Sequence, residues 1–214
     1  MKIKSLLCSL AIGAGLVTSN LLANSVTFSQ GIGDEIIAHT SNNGTFTTFC
    51  LEANVFSSVY GVYSYTINPD AILGGPNLHG PVGPNGGDLI SFGTTWLFTQ
   101  FKNGTLDDAS MGGGGNYTAH EYQNSITLQN AIWMLEDEIA PSTSNYYLSE
   151  VETIFGATNA FNNAYSNVLA LNPWSANGQP AQSVLYMPDG GMTALLLGLG
   201  LVGLSIAARR SRKV

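Results

Sequence analysis

The chain has 214 residues, a formal net charge of −7, 44% hydrophobic residues and only 10% charged ones. Low charge with many aromatics excludes a disordered polyelectrolyte, and the acidic balance excludes a basic nucleic-acid binder. Six of the seven Lys and Arg residues lie in the first four or last six positions, so Asn24 to Met187 keeps Lys102 alone against thirteen acids. A body of that charge repels nucleic acid and anionic lipid headgroups.

Residues 1–23 read as a secretory signal peptide. Lys2 and Lys4 form the positive start, Leu6 to Val17 the apolar run, and Leu21-Leu22-Ala23 the cleavage site. The extracellular body is then expected over residues 24–187, as an α+β domain with an antiparallel β part followed by a helical part.

From Asn24 to about Gly115 the composition favours strands. Thr45 to Leu51 is rich in β-branched and aromatic residues with apolar side chains on both faces, so it reads as a strand buried on both sides. Val59 to Ile67 reads as a second strand, with Tyr63, Tyr65 and Ile67 on one face and Val62 on the other. Gly74 to Gly87 is a Gly- and Pro-rich loop. Thr95 to Phe101 favours a helix, stopped by Asn103-Gly104. Met111 to Gly115 is a flexible hinge or loop.

The period then changes. Leu128, Ile132, Leu135 and Ile139 make a helical stripe that Pro141 should end. Val151, Ile154, Phe155, Phe161, Tyr165, Val168 and Leu169 also fit helical spacing, with a break near Gly156. Ala181 to Met187 is expected to return as a final strand.

Residues 188–214 form a separate unit. Pro188-Asp189-Gly190-Gly191 breaks any helix, Met192 to Ala208 is uncharged and 17 residues long, and Arg209, Arg210, Arg212 and Lys213 follow at once. At ~1.5 Å per residue the apolar stretch just crosses a hydrocarbon core, and the basic cluster keeps the end in the cytoplasm. This tripartite tail resembles the PEP-CTERM class of sorting signals in its Val-Pro-Asp-Ser-Gly form, with Met187 and Gly190 replacing Val and Ser. The resemblance implies processing by exosortase, a membrane transpeptidase-like enzyme. It also implies transient anchoring in the inner membrane and delivery to the surface or matrix of a Gram-negative bacterium that makes exopolysaccharide. A permanent membrane anchor is the plainer alternative.

Enzyme signatures are missing. His39, His79 and His120 lack metal-ligand spacing, and no Gly-x-Ser-x-Gly elbow, phosphate loop or dinucleotide fingerprint occurs. Glu136-Asp137-Glu138 reads as a solvated helix face. A weak calcium site with Asp107 and Asp108, and a glycosidase pair of Glu52 and Glu121, are the lesser readings. No cofactor or metal is expected.

Cys50 is the informative residue. Loss of the signal peptide removes Cys8, which leaves one cysteine in a compartment that favours disulfides. Either the thiol is a buried small hydrophobe or its sulfur is used in another bond. Gln129 falls within the apolar arc of its helix, where a carboxamide needs partners or costs a few kcal/mol. Phe49-Cys50-Leu51-Glu52 followed by Leu128-Gln129-Asn130-Ala131-Ile132-Trp133 resembles the paired motifs of bacterial surface thioester domains. Leu128 stands where many of those domains have Thr.

The resemblance implies that Cys50 attacks the Gln129 amide, expels ammonia and leaves an internal thioester. Phe49, Ile132 and Trp133 would shelter that bond. A target amine or hydroxyl would then be acylated in a single turnover. The alternative function is a non-covalent structural or binding component of the extracellular polysaccharide matrix.

Overall fold

The computed structural model describes residues 24–55, 61–73, 81–163 and 165–188. Residues 1–23, expected as a signal peptide, and the tail from Asp189 onward, including Gly190, Gly191, Arg209 and Arg210, lie outside the described residues, as does His79. Among those described, no helix is long and apolar enough to cross a membrane.

The body is α+β, as expected. Strands β1 (Ser25–Gln30), β2 (Ile36–Thr40), β3 (Gly44–Thr48), β4 (Val62–Asn68), β7 (Leu169–Trp174) and β8 (Val184–Tyr186) form one antiparallel sheet in the order β3-β2-β1-β4-β7-β8. A small second sheet pairs β5 (Asp70–Ala71) with β6 (Asp88–Leu89). In β1, Val26 and Phe28 are buried, alternating with less buried neighbours, which is the period of a strand with one face on the core. The β2–β3 hairpin turns on Gly44, whose φ of 74° suits glycine.

The large sheet nearly closes on itself. Beyond β3 the chain stays extended and meets β8. Leu185 N–H donates to Phe49 O at 3.0 Å, Leu51 N–H donates to Ser183 O at 3.0 Å, and Cys50 pairs antiparallel with Val184. The Thr48 hydroxyl adds a bond to Leu185 O at 2.5 Å. This seam joins the chain just beyond β3 to the last strand and pairs the outer edge of β8.

Helices α1 (Phe92–Asn103), α2 (Glu121–Leu135), α3 (Tyr146–Phe155) and α4 (Ala157–Ala160) pack together against this sheet. Helix α1 starts on Ser91, whose hydroxyl accepts from Thr94 N, and stops at Gly104 in the left-handed region. Gly93 sits at the helix crossing. A Cβ there would lie 2.7 Å from Leu135 Cδ2 and 2.8 Å from Val151 Cγ1.

Adjacent strand residues feed two apolar clusters. Leu185 and Ala170 join Phe49, Leu51, Leu97, Phe98, Leu128, Ile132 and Tyr147 in the larger one. Val184 and Leu171 join Val26, Phe28, Tyr63 and Tyr65 in the other. The alternation places the helices on one face of the sheet.

Three expectations are corrected. Helix α2 ends at Leu135, so Ile139 continues the stripe only in phase. Asp137 adopts φ 60°, and Glu138 N and Ile139 N both turn back to Trp133 O. The acidic run therefore follows the helix, and Glu136 is buried rather than solvated. Val168 and Leu169 are not helical, because Leu169 begins β7 and pairs with Tyr186. The glycine run after Met111 is a loop, as expected, with Gly113 N bonded to Asp108 O at 3.0 Å.

Candidate functional site

Cys50 lies on the seam. In an extended chain successive residues direct their N–H and C=O groups to opposite edges. Phe49 O and Leu51 N face β8. The main-chain groups of Cys50 therefore face the other way, toward α2, where no strand is available.

Gln129 fills that place. It stands on the buried side of α2 with Leu128, Ala131 and Ile132, and is 1% exposed. Cys50 N–H donates to Gln129 Oε1 at 2.8 Å, and Gln129 Nε2 donates to Cys50 O at 2.8 Å. The carboxamide thus acts as the peptide group of a missing neighbour strand, and both Cys50 main-chain groups are satisfied. Residues 79 positions apart are brought together by this pair.

The segment after Cys50 is tied down on both sides. Ala53 N–H donates to the Glu138 carboxylate at 3.0 Å, which uses the turn that ends α2. Glu52 is fully buried, with Oε2 accepting from Ser183 N at 2.6 Å and its main-chain O accepting from Gln182 Nε2 at 2.7 Å. Glu52 Oε1 has no hydrogen-bond partner. Burial pushes the Glu52 carboxyl up to about 7, against the hydrogen bonds from Ser183.

The Cys50 thiol is buried and free of any disulfide. Burial pushes it up to about 12. The carboxylates of Glu52 and Asp34 add to the rise, and a hydrogen bond from the Gln182 side chain opposes it. A thiol so placed is a poor nucleophile toward solvent reagents. It reacts only where proximity replaces thiolate concentration.

The residues expected to shelter the pair are placed unequally. Phe49 and Ile132 are fully buried in the larger core, with Phe49 edge-on to Phe101 at 5.1 Å. Trp133 is half-buried, and its indole N–H has no partner.

The lesser readings find no support. Glu121 opens α2 eight residues before Gln129, about 12 Å along the axis at ~1.5 Å per residue, so Glu52 and Glu121 do not form one site. No group of three or more His, Cys, Asp or Glu able to hold a metal occurs among the described residues. His39 bonds Ser29 and Thr45 on the surface, and His120 bonds Asp108 at 2.6 Å with half its side chain exposed. Asp107 bridges to Asn116, and the Asp108 carboxylate is taken by Ser110, His120 and Asn124.

Sequence reasoning singled out Cys50 and Gln129 but missed Gln182 and Glu138. Gln182 belongs to no recognisable motif and reaches the Cys50 segment through the closure of the sheet, whereas Glu138 reads as part of a solvated acidic run and reaches Ala53 through the turn that ends α2. No family model, curated protein or solved structure matches the chain.

Proposed function

We propose that this is a secreted surface protein, sorted by an exosortase-type enzyme through residues 188–214, whose body carries an internal Cys50–Gln129 thioester. The single observation that supports the chemistry is the pair of 2.8 Å hydrogen bonds that seat the Gln129 carboxamide on the Cys50 main chain. An unactivated amide resists thiols in solution. Held in place beside one, it gains the effective molarity that intramolecular attack requires. The thiol proton leaves, sulfur bonds to the Gln129 amide carbon, and the amide nitrogen departs as ammonia. Core residues Phe49 and Ile132 exclude water from the bond.

A partner amine or hydroxyl would then take the Gln129 acyl group and release the Cys50 thiol. This is acylation performed once, with no turnover. Lys102, the single lysine of the body, has its ammonium 5.9 Å from the centre of the Phe46 ring. The acyl acceptor is therefore an external surface or matrix molecule.

A second reading has its own observation. Both polar atoms of the Gln129 carboxamide are already satisfied by Cys50, as expected of a structural clamp. The chain would then be a non-covalent component of the extracellular polysaccharide matrix.

Intact mass of freshly purified protein separates the two. The thioester lacks the mass of one ammonia, and methylamine adds its whole mass at Gln129 while freeing Cys50, which leaves the adduct one methylene heavier than the unmodified chain. Cys50→Ala and Gln129→Ala should each abolish the adduct. Full unmodified mass in the wild type would select the clamp.

A further inference from the structure

Thioester formation, on which this inference rests, has a proton problem. The thiol must lose a proton before sulfur attacks, and the amide nitrogen must gain one before it leaves. Neither Cys50 nor Gln129 can do both. The thiolate is scarce in this site, because burial and the nearby Glu52 and Asp34 hold the proton on sulfur. Gln129 has its Oε1 and Nε2 bound to the Cys50 main chain.

One neighbouring group is unspent. Glu52 lies two residues from Cys50, is 0% exposed, and leaves Oε1 without a partner. Its other oxygen is fixed by Ser183 N, and its main-chain O by the Gln182 amide that also bonds the Cys50 thiol. Of the charged groups that act on the thiol, Glu52 acts most strongly. A fully buried carboxylate oxygen left unpartnered is costly, and such atoms call for an explanation.

We propose that Glu52 is the proton carrier of Cys50–Gln129 bond formation. Its carboxylate takes the proton from Cys50 Sγ, directly or across one water. Sulfur adds to the Gln129 amide carbon. Protonated Glu52 then returns the proton to the amide nitrogen, the carbon–nitrogen bond breaks, and ammonia leaves. The sum is thiol plus amide to thioester plus ammonia, with Glu52 unchanged and no other reactant.

The other acids, Asp34 near the thiol and Glu138 near Glu52, are less suited. Asp34 is exposed in the β1–β2 turn, and the Glu138 carboxylate is held by Ala53 N. Glu52 also titrates near neutrality, where one group can both accept and donate. Its surroundings set that behaviour: Cys50 on its own segment, Glu138 after α2, and the Ser183 N–H before β8.

The test uses the full-length chain from inclusion bodies, with Cys50 and Gln129 unreacted, refolded in detergent across a pH series. Loss of ammonia is followed by intact mass after acid quench. Wild type should accelerate as pH rises and level off near neutrality. Glu52→Gln, which keeps an oxygen for Ser183 N, should slow the step by ~100-fold or more and lose the inflection. Asp34→Asn, which removes a charge that holds the proton on sulfur, should not slow the step and should keep the inflection.

Glu52→Gln forming the bond at the wild-type rate with the same profile would overturn the proposal. So would a wild-type profile that keeps rising into the range of the thiol, a readout that holds even if the variant does not fold. If wild type folds but never loses ammonia, the thioester reading itself fails and this proposal goes with it.

Discussion

Glu136 closes the start of a helix 45 residues before it: its Oε1 accepts the Ser91 N–H at 3.1 Å, directly ahead of α1. A carboxylate at a helix N-terminus meets unpaired N–H groups and the positive end of the dipole. Here burial outweighs both and pushes the Glu136 carboxyl up to about 7, with Asp88 adding to the rise. Glu52 is raised to the same value by its own burial.

Stability should therefore fall as pH rises from the ordinary carboxylate range to about 7. Both acids bind a proton more tightly folded than unfolded. Between the two pKa values the folded state holds more protons, so each step up in pH favours unfolding. Thermal melts across this window should show a falling Tm, flattened by Glu136→Gln. A Tm that rises through the window would contradict the burial of these carboxyls.

Strong acid should act in the opposite sense through Asp108. Burial of its carboxyl works to raise the pKa, but hydrogen bonds from His120, Ser110 and Asn124 prevail and hold it well below the usual range. Stability from this group is present above the unfolded carboxylate pKa and is lost as pH falls through the folded one. Asp108→Asn should remove that acid limb, read as a smaller loss of Tm in acid than wild type shows.

The Cys50 and Gln129 side chains should contribute unequally to the fold itself. Cys50→Ala keeps the main-chain groups that Gln129 binds, so it should cost about 1 kcal/mol of lost burial. Adding Gln129→Ala to that background strands a buried N–H and C=O and should cost a further ~2–4 kcal/mol. Urea unfolding of the single and double variants measures the difference. Equal stability of the two would mean that the amide pairing contributes nothing.

Slow alkylation does not by itself report a thioester. Cys50 is 7% exposed and its thiol is raised to about 12, so it should resist iodoacetamide in folded Gln129→Ala as well. Labelling should become rapid only on denaturation. Fast labelling of folded Gln129→Ala would show that the amide, rather than burial, protects the sulfur.

Gly93→Ala should destabilise by ~1–3 kcal/mol although alanine is the better helix former. The added methyl would meet Leu135, Val151 and the Ala160 carbonyl, all under 3.0 Å. Chemical denaturation measures the loss. A gain in stability would mean that α1 and α2 can separate at little cost.

Local pattern carried much of this fold. The Thr45–Leu51 strand, the helix around Leu97, the break at Gly156 and the returning strand at Val184 all follow from side-chain period and turn residues. The misreadings arose where distant contacts override local signals. Ile139 keeps helical phase, but the chain turns at Asp137 so that Glu136 and Glu138 can reach Ser91 and Ala53. Val168 and Leu169 fit a helix in isolation, whereas β8 and β4 recruit the segment into the sheet. Acids read as solvated until a partner segment is known. For that reason Glu136 and Glu52 were not visible as buried groups, while Gln129 was, because its neighbours on the wheel are apolar.

The sheet closure also has a mechanical side. A pull on the chain beyond Pro188 enters the fold along β8, whose neighbours are β7 and the Phe49–Leu51 segment. Antiparallel partners loaded along their length share the force among several hydrogen bonds rather than opening one at a time. The load passes to Cys50 through Phe49 and Leu51, and across the Gln129 carboxamide to α2. Tension entering along β8 thus reaches the Cys50–Gln129 pairing before it reaches the helices.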